Sequence, residues 1–356
     1  MQEVDVLVVG GGPAGLSASR AAARSGASVI CVERKPKIGT DVRCAEGIGL
    51  AFLEALPFKM PENILQWHVN GIVFWNGNEP LKRTGGLWEG CVIDRQKLEI
   101  WLGQQATASG AKIWTDAQLQ KLKLEGEEVS AATVNWKGKE ITVKPGKVIA
   151  ADGVNSTVLQ EMGHYEKRPL SLAKVTSWEM TGLTLEWPRF EQVLIDDLAL
   201  GGYGYIFPKS PTRANVGVGS CVLDEVDALF EQFVELPFIK KQVKQGRRVK
   251  NKSKEAPFLG VSEKWAFGNV LLAGDSANQN LKPFIEGIIP GIIAGDIAGE
   301  LAASEPEVKE QEYRKRVEAA VPGWKESQQL TGAIKTLFAK RAPSKQFLQL
   351  VLAAGE

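Results

Sequence analysis

Residues 4–15 read VDVLVVGGGPAG, and this stretch decides the fold. The apolar run 4–9 predicts a buried strand, and residues 16–25 predict a helix of small side chains. The glycines therefore occupy the turn of a strand–turn–helix unit, the context in which this pattern binds a dinucleotide. A second apolar strand, residues 27–32, places Glu33 where a carboxylate would hydrogen-bond the ribose of such a ligand.

The residues of this turn have separate physical roles. Gly10 permits the tight turn, Gly12 lets the backbone approach a pyrophosphate, and Gly15 allows the helix to pack closely on the strand. Pro13 and Ala14 complete the motif at the helix N-terminus, where the helix dipole favours an anion. The pattern therefore predicts a bound diphosphate, against the alternative of a glycine-rich turn without a nucleotide.

Two further glycine motifs lie far along the chain. Asp152-Gly153 follows the predicted strand 147–151, and Gly274-Asp275 follows the predicted strand 271–273. Aspartate beside glycine is common in turns, so either motif alone is ambiguous. Their joint occurrence after apolar strands favours three separated segments that contact one dinucleotide.

The composition is typical of a globular enzyme. The chain has 356 residues, of which 44% are hydrophobic, so it can bury an ample core. A formal net charge of +1 gives no case for nucleic acid as a partner. The four cysteines are scattered and there are only two histidines, so we expect neither a zinc nor an iron–sulfur site. Because the chain enters a strand at once, without a signal peptide, we expect a cytoplasmic location.

No stretch is apolar enough to predict a membrane span. The most apolar segment, residues 284–303, is interrupted by acidic residues and a proline. We therefore expect a soluble protein or one peripheral to the inner face of a membrane. A basic run is typical of a solvated face, or alternatively of a surface that attracts a phosphate headgroup or an anionic bilayer. Its members are Lys240, Lys241, Lys244, Arg247, Arg248, Lys250, Lys252 and Lys254.

The remaining pattern indicates a chain that leaves and re-enters its nucleotide-binding domain. The predicted elements are a hairpin with its turn at 76–78, a helix at 96–109, a parallel strand at 111–114, a meander of strands at 119–124, 131–136 and 140–143, and a strand-rich region at 172–222. We predict a nucleotide-binding domain at 1–65, 91–165 and 265–303, a substrate-binding sheet domain at 66–90 and 166–264, and a helical C-terminal region at 304–356. The fold class is α/β, with a Rossmann-like domain interleaved with an antiparallel sheet.

The order of these motifs, with Asp94-Arg95 between the first two, resembles the para-hydroxybenzoate hydroxylase superfamily of FAD enzymes. Within it, VRCAEG at 42–47, YGYIFPK at 203–209 and ANVG at 214–217 resemble the geranylgeranyl reductase family. The resemblance implies an FAD-binding domain of the glutathione reductase type, FAD as hydride carrier, and reduction of carbon–carbon double bonds in an isoprenoid lipid. The electron donor stays open between NADPH and ferredoxin or another carrier protein.

The resemblance also implies a wider set of FAD contacts. Arg95 is similar to the arginine that reaches the pyrophosphate or ribityl region, with a surface salt bridge as the alternative. Asp275 is expected to accept hydrogen bonds from ribityl hydroxyls, and Asp152 to support that region. The other predicted contacts are Arg34, Arg43, Cys44, Ala45, Leu119, Ala151, Gly153, Gly274, Pro283, Gly287 and Ile288.

Cys44 is the candidate proton donor, because the superfamily folds the loop after Glu33 over the flavin ring. A thiol with an ordinary pKa of about 8.5 is largely protonated near neutrality. The alternative is a small buried loop residue. Glu46 is a second candidate donor, or else the ion-pair partner of Arg43.

Alternation along residues 203–208 predicts that Tyr203, Tyr205 and Phe207 share one face of a strand. The resemblance favours these side chains, with Pro208, as the lining of a substrate groove, and Tyr203 and Tyr205 as catalytic candidates; the alternative is an ordinary sheet core. Tyr205 stands where the family usually has tryptophan. A glycine of the family's late motif is also missing before Gly287.

Two other functions stay open on the same fold. One is a flavin monooxygenase that hydroxylates an aromatic or lipid substrate, and the other is a non-catalytic carrier of prenyl chains. Oxygen dependence separates the reductase from the monooxygenase, and failure of bound flavin to turn over would favour the carrier.

Overall fold

The structure, a computed structural model, describes residues 1–195, 202–339 and 344–353. The helices of this part are α1 (Pro13–Arg24), α2 (Arg95–Ala108), α3 (Thr157–Glu161), α4 (Val226–Glu235), α5 (Pro237–Val243), α6 (Ile288–Ser304), α7 (Glu310–Ala320), α8 (Trp324–Ala339) and α9 (Ser344–Ala353). The strands are β1 (Gln2–Val9), β2 (Val29–Glu33), β3 (Gly47–Gly49), β4 (Leu65–Val69), β5 (Gly71–Asn76), β6 (Glu79–Thr84), β7 (Gly90–Ile93), β8 (Lys112–Thr115), β9 (Ala117–Glu125), β10 (Glu128–Trp136), β11 (Lys139–Ala150), β12 (Leu172–Thr181), β13 (Glu191–Leu194), β14 (Tyr203–Ser210), β15 (Arg213–Ser220), β16 (Arg247–Asn251), β17 (Lys254–Pro257), β18 (Ala266–Phe267) and β19 (Val270–Leu272).

The first sheet has the parallel core that the opening residues predict. Its strand order is β18-β19-β11-β1-β2-β8, and β1 runs parallel to both β2 and β11. Residues 6–9 of β1 are almost fully buried, as expected for a central strand. Helix α1 begins at Pro13, earlier than the predicted residue 16, because proline is favoured in the first turn and Gly12 is the N-cap.

Strand β11 corrects the prediction of two separate strands at 140–143 and 147–151. It is continuous and pairs with β1 from Val143 to Ala150. Pro145 lies between the residues that pair with β10 and those that pair with β19. Proline has no backbone N–H, but on the edge of β11 that faces β10 and β19 no strand pairs with position 145. No hydrogen bond between strands is therefore lost on that edge, and the proline does not end the strand.

The predicted hairpin with its turn at 76–78 is present, but the residues before it belong to two sheets. Strand β4 pairs with β7 in a three-stranded sheet, whereas β5 pairs with β6 and β13. The chain changes sheet at Asn70 and Gly71. A side chain at Gly71 would meet the carbonyl oxygen of Arg83 at 2.0 Å, so only glycine fits this crossing.

The second large sheet confirms the strand-rich region at 172–222. Its order is β16-β12-β15-β14-β13-β5-β6, antiparallel except between β13 and β5. One face packs against α4 and α5 through residues such as Phe230 and Phe233. The opposite face carries Tyr205 and Phe207 and turns towards the first sheet.

The α/β class, the antiparallel second sheet and the helical C-terminal region are confirmed. The domain boundaries themselves stay a prediction. Residues 340–343 and 354–356 of the C-terminal region, and 196–201 of the sheet domain, lie outside the described residues. Within the described ranges, no helix combines the length and the apolar character needed to cross a bilayer.

Candidate functional site

A cavity of about 820 Å³ lies between the first sheet and the inner face of the second. The three glycine motifs, separated by more than a hundred residues, meet along its wall. Gly12, Gly153 and Gly274 all line it, as does Gly287 at the N-terminus of α6. The predicted convergence of distant segments on one ligand-sized space is therefore present in the structure.

The first glycine turn has the geometry that its sequence predicts. Gly10 has a φ of +106°, and a side chain there would lie 2.3 Å from the carbonyl oxygen of Ala151. A side chain at Gly15 would lie 1.9 Å from the carbonyl oxygen of Gly10, so α1 packs closely on β1. At Gly12, by contrast, an added Cβ would meet nothing within 4 Å. Gly12 thus leaves open space on the cavity side of the turn.

Glu33 is held at the edge of this turn. Its Oε2 accepts a hydrogen bond of 2.7 Å from the amide of Gly11, and its Oε1 accepts one of 2.9 Å from the amide of Lys35. Both contacts fix the carboxylate at the carboxyl end of β2, beside the open space at Gly12.

The chemistry of this wall fits FAD. The N-termini of α1 and α6 both face the cavity and favour a diphosphate or an electron-rich ring edge. Arg95 also lines the cavity and is mostly buried. Its guanidinium pairs with Glu99 at 2.9 Å, and its Nε has no hydrogen-bond partner among the described residues. An unpaired buried guanidinium donor is what an anionic group of the cofactor would satisfy.

Most of the predicted contact residues border the cavity. They are Gly12, Pro13, Ala14, Arg43, Cys44, Ala45, Glu46, Arg95, Ala151, Gly153, Tyr203, Tyr205, Phe207, Gly274, Asp275, Pro283, Gly287 and Ile288. Their individual roles stay predictions.

Seven predicted residues do not border the cavity: Gly10, Gly15 and Glu33, which belong to the first turn and its neighbouring strand, and the four that follow. Leu119 is packed in the core under the first sheet, because its inward position on β9 is apolar. Arg34 is exposed, and Pro208 is buried in β14 away from the cavity wall. Asp152 accepts a hydrogen bond of 3.1 Å from the amide of Val158 and so anchors α3. Burial raises the pKa of Asp152.

The aromatic residues of β14 share one face, as their alternation predicts. The ring centroids of Tyr203 and Tyr205 are 5.9 Å apart, and those of Tyr205 and Phe207 are 4.7 Å apart. The hydroxyl of Tyr203 donates a hydrogen bond of 2.9 Å to the carbonyl oxygen of Phe284. Gly217 on β15 makes room for Tyr205, since a Cβ there would lie 2.5 Å from its ring. These rings form one side of the cavity.

Cys44 lies half-buried on the cavity wall, in the loop that precedes β3. Its Sγ accepts a hydrogen bond of 3.3 Å from the amide of Glu46. Glu46 has a φ of +70°, unusual for a residue other than glycine, so the loop needs external support.

One interpretation of the sequence proposed an ion pair between Glu46 and Arg43, and the structure does not contain this pair. Arg43 pairs with Asp41 at 3.0 Å on the surface. The carboxylate of Glu46 instead contacts Lys209 at 2.7 Å and Lys252 at 3.1 Å. Burial alone would raise the pKa of Glu46, but the two lysines outweigh it and hold that pKa below its ordinary value. Glu46 is therefore a structural anion, poorly suited to donate a proton.

The same contacts correct the interpretation of the basic run as a solvated face. Lys252 is only 3% exposed and binds both Glu46 and Glu179 in the interior. Arg248 is paired with Glu231 at 2.8 Å on the surface. The run therefore contributes an internal cation as well as surface charges.

Sequence reasoning missed two glutamates and a lysine on the cavity wall. Burial raises the pKa of Glu191 to about 8, and that of Glu286 to about 7. Burial lowers the pKa of Lys282 to about 7, although Asp275 opposes the shift. Glu286 stands where the family's late motif usually has glycine, and this departure was the one sign in the sequence that position 286 is unusual. Glu191 and Lys282 carry no signal in one sequence.

Comparisons with known proteins agree with an FAD-binding fold. Residues 3–200 match the family model described as FAD binding domain. Over 281 residues the chain is 34% identical to the digeranylgeranylglycerophospholipid reductase of Methanocaldococcus jannaschii, covering 77% of this chain and 70% of that protein. Over 284 residues it is 30% identical to the reductase of the same name from Methanococcus aeolicus, covering 78% and 71%. The chain belongs to the geranylgeranyl reductase family.

Solved structures extend the likeness to the fold of this family member. A geranylgeranyl bacteriochlorophyll reductase-like protein from Thermoplasma acidophilum superimposes with a TM-score of 0.83 at 24% identity, covering 99% of this chain and 96% of that one. The geranylgeranyl reductase family member described here is thus an FAD-dependent oxidoreductase, and the predicted family, fold and cofactor are confirmed.

Proposed function

We propose that this protein saturates carbon–carbon double bonds in isoprenoid chains carried by a glycerophospholipid. One observation carries the proposal: a cavity of about 820 Å³ joins the FAD motifs at one wall to the aromatic face of β14 at another. The reductase names of its relatives support this class of substrate. An apolar chain gains roughly 0.8 kcal/mol for each methylene buried in such a space.

When bound and reduced, FAD would supply a hydride to one alkene carbon. The protein orients the chain and delivers a proton to the other carbon. Tyr203, Tyr205 and Phe207 provide a rigid aromatic surface along which methylenes pack, and Arg95 provides charge for the cofactor. Cys44 is the predicted proton donor, with its sulfur held by the amide of Glu46.

The test is an anaerobic reaction between chemically reduced protein and a glycerophospholipid with geranylgeranyl chains. The expected product has gained two hydrogens for each double bond reduced, without oxygen uptake. A hydroxylated product that requires oxygen would instead support a monooxygenase. Reduced flavin that never reoxidises with the lipid would support a non-catalytic carrier.

We also propose that the protein works in the cytoplasm, at the inner face of a membrane, and takes electrons from NADPH or a ferredoxin-like carrier. Leu87, which is 58% exposed, borders the cavity and offers an apolar contact to a lipid surface. Sedimentation with anionic vesicles, compared between wild type and Leu87→Asp, tests the membrane contact. Equal sedimentation would remove Leu87 from that contact.

A further inference from the structure

Glu191 is a carboxyl group on the cavity wall, and one of its oxygens has no hydrogen-bond partner in the part of the chain that the structure describes. It begins β13, and Val193 on the same face of that strand also borders the cavity. Its Oε1 lies 2.6 Å from the position that a Cβ on Gly47 would take. Among the described residues, nothing hydrogen-bonds this buried oxygen. Glycine at position 47 therefore makes room for a carboxyl oxygen to which the described residues offer no hydrogen bond.

A second carboxyl group lies near β3, at the end opposite to Gly47. Glu286 accepts a hydrogen bond of 3.4 Å from the amide of Gly49 and borders the same cavity. The two glutamates repel each other when charged, and this repulsion adds to burial in raising the pKa of Glu191. The negative charge of Glu191 also contributes to raising the pKa of Tyr203 and of Cys91. Neither of these side chains carries a positive charge that would stabilise the carboxylate. With values of about 8 and about 7, the pair retains a proton near neutrality.

The proposed reaction needs such a proton more than once. An isoprenoid chain has several double bonds, and each reduction consumes one hydride and one proton. When Cys44 gives up its proton, the S–H bond breaks and a thiolate remains in a cavity filled by lipid. Water is then excluded from the thiolate, so a new proton has to come from a group on the wall.

We propose that Glu191, coupled to Glu286, is the proton reservoir that recharges the donor between successive reductions. This inference rests on the proposed function. The O–H bond of Glu191 breaks, the S–H bond of Cys44 forms, and the Glu191 carboxylate later takes a proton from solvent at the cavity mouth. No oxidant or reductant is consumed in this step. Geometry places the two groups near each other: Cys44 and Glu191 border the same cavity, and Gly47, whose Cβ position lies 2.6 Å from Glu191 Oε1, follows shortly after Cys44 at the start of β3.

The kinetic test compares Glu191→Gln, which keeps the shape but holds no exchangeable acid, with Cys44→Ser and with Glu54→Gln. Glu54 is exposed away from the cavity and is the matched control. In Glu191→Gln we expect the first double bond to be reduced at the wild-type rate and later ones at least tenfold more slowly. Cys44→Ser should slow the first reduction as well, and Glu54→Gln should match wild type.

A second measurement uses the flavin-free protein, in which no reduction takes place. Infrared spectroscopy should show a protonated carboxyl band that titrates near pH 8 and is absent from Glu191→Gln. A wild-type protein without this band overturns the reservoir. So does a Glu191→Gln variant that reduces every double bond at the wild-type rate, or that fails at the first.

The two proposals fail in different ways. If wild-type protein saturates no isoprenoid lipid, the proposed function is wrong whatever the infrared band shows. If wild type saturates the lipid and Glu191→Gln is indistinguishable from it, only the reservoir is wrong.

Discussion

Two glycines of the first motif have different roles, one in folding and the other in cofactor binding. Gly10 serves the fold, since its φ of +106° and its contact with Ala151 exclude a side chain. Gly12 serves the ligand, since a Cβ there would meet no protein atom within 4 Å. One motif thus separates folding from cofactor binding, and the two can be tested independently.

We expect Gly12→Ala to fold normally and to bind FAD at least tenfold more weakly, about 1.4 kcal/mol, because its methyl group fills the space left for the cofactor. Gly10→Ala should lose about 2 kcal/mol or more of the free energy of unfolding. Flavin fluorescence titration and thermal unfolding of the flavin-free proteins measure the two effects. Unchanged FAD affinity in Gly12→Ala would contradict this division.

Glu191 makes stability depend on pH in a direction opposite to that of a paired carboxylate. Its pKa of about 8 in the folded protein exceeds the ordinary value of about 4.3. The folded state therefore holds a proton that the unfolded state releases, so the stability contributed at this site falls as pH rises from about 4.5 to about 8.

Glu191→Gln removes this dependence, and we expect it to raise the free energy of unfolding by about 1–3 kcal/mol at pH 8 with little change at pH 4.5. Urea unfolding of the flavin-free protein at both pH values is the measurement. A variant less stable than wild type at pH 8 would mean that the carboxylate has a partner in solution.

At the scale of elements, helices α1 and α6 cross through small residues. A Cβ on Gly295 would lie 2.1 Å from the carbonyl oxygen of Ala14, and one on Gly299 would lie 2.3 Å from that of Ala18. The two backbones are thus in direct contact, and this contact sets where the N-terminus of α6 meets the cavity.

Gly299→Ala should therefore cost about 1–3 kcal/mol of stability and weaken FAD binding, because it forces α6 away from α1. Gly332→Ala is the control, since Gly332 lies within α8 and a Cβ there meets nothing within 4 Å. We expect the control to be neutral or more stable by about 0.5–1 kcal/mol. Differential scanning fluorimetry with and without FAD compares the thermal stability of the two variants. Equal losses of stability would show that the close packing of α6 on α1 does not cause the loss in Gly299→Ala.

The sequence predicted elements well where the signal is local and poorly where a distant partner decides. Strand β1 and helix α1 follow from apolar periodicity, glycine and proline within a few residues. Strand β11 was divided at Pro145 because one sequence does not reveal that its neighbours leave that position unpaired. For Glu46 the local sequence offers only Arg43 as an ion-pair partner, beside the alternative of a proton donor, whereas the lysine that it contacts, Lys209, is 163 residues away.

At the scale of the whole molecule, a buried charge cluster joins the cofactor loop to the second sheet. Glu46 and Glu179 face Lys209 and Lys252, and Asn215 donates a hydrogen bond of 2.7 Å to the carbonyl oxygen of Ala45. Burial would raise the pKa of both glutamates, but Lys209 and Lys252, together with Arg213 at Glu179, hold both pKa values below the ordinary value. Their stabilisation is present above about pH 4.3 and is lost as pH falls through the lowered values.

Lys252→Met should lower the free energy of unfolding by about 2–4 kcal/mol at pH 7, because it leaves buried carboxylates short of a counter-ion. The loss should shrink as pH falls below about 4.3 and through the lowered pKa values, where these carboxylates become protonated. Lys250→Met, at an exposed position of β16, should stay within about 0.5 kcal/mol of wild type. Denaturant titrations of both variants from pH 7 down to below pH 4 measure these losses. Similar losses of unfolding free energy in the two variants would contradict a special role of the buried Lys252.

The charge cluster also constrains how the protein is made on the ribosome. Glu46 is synthesised 163 residues before Lys209, and β11 gains its neighbour β19 only when residues 270–272 emerge. A nascent chain that ends before Lys209 carries the cofactor loop without its counter-ions, and one that ends before residue 270 leaves β11 without its neighbour β19. The cofactor loop and the first sheet therefore complete these native contacts only after residues 270–272 have been synthesised, although they contain the residues nearest the N-terminus.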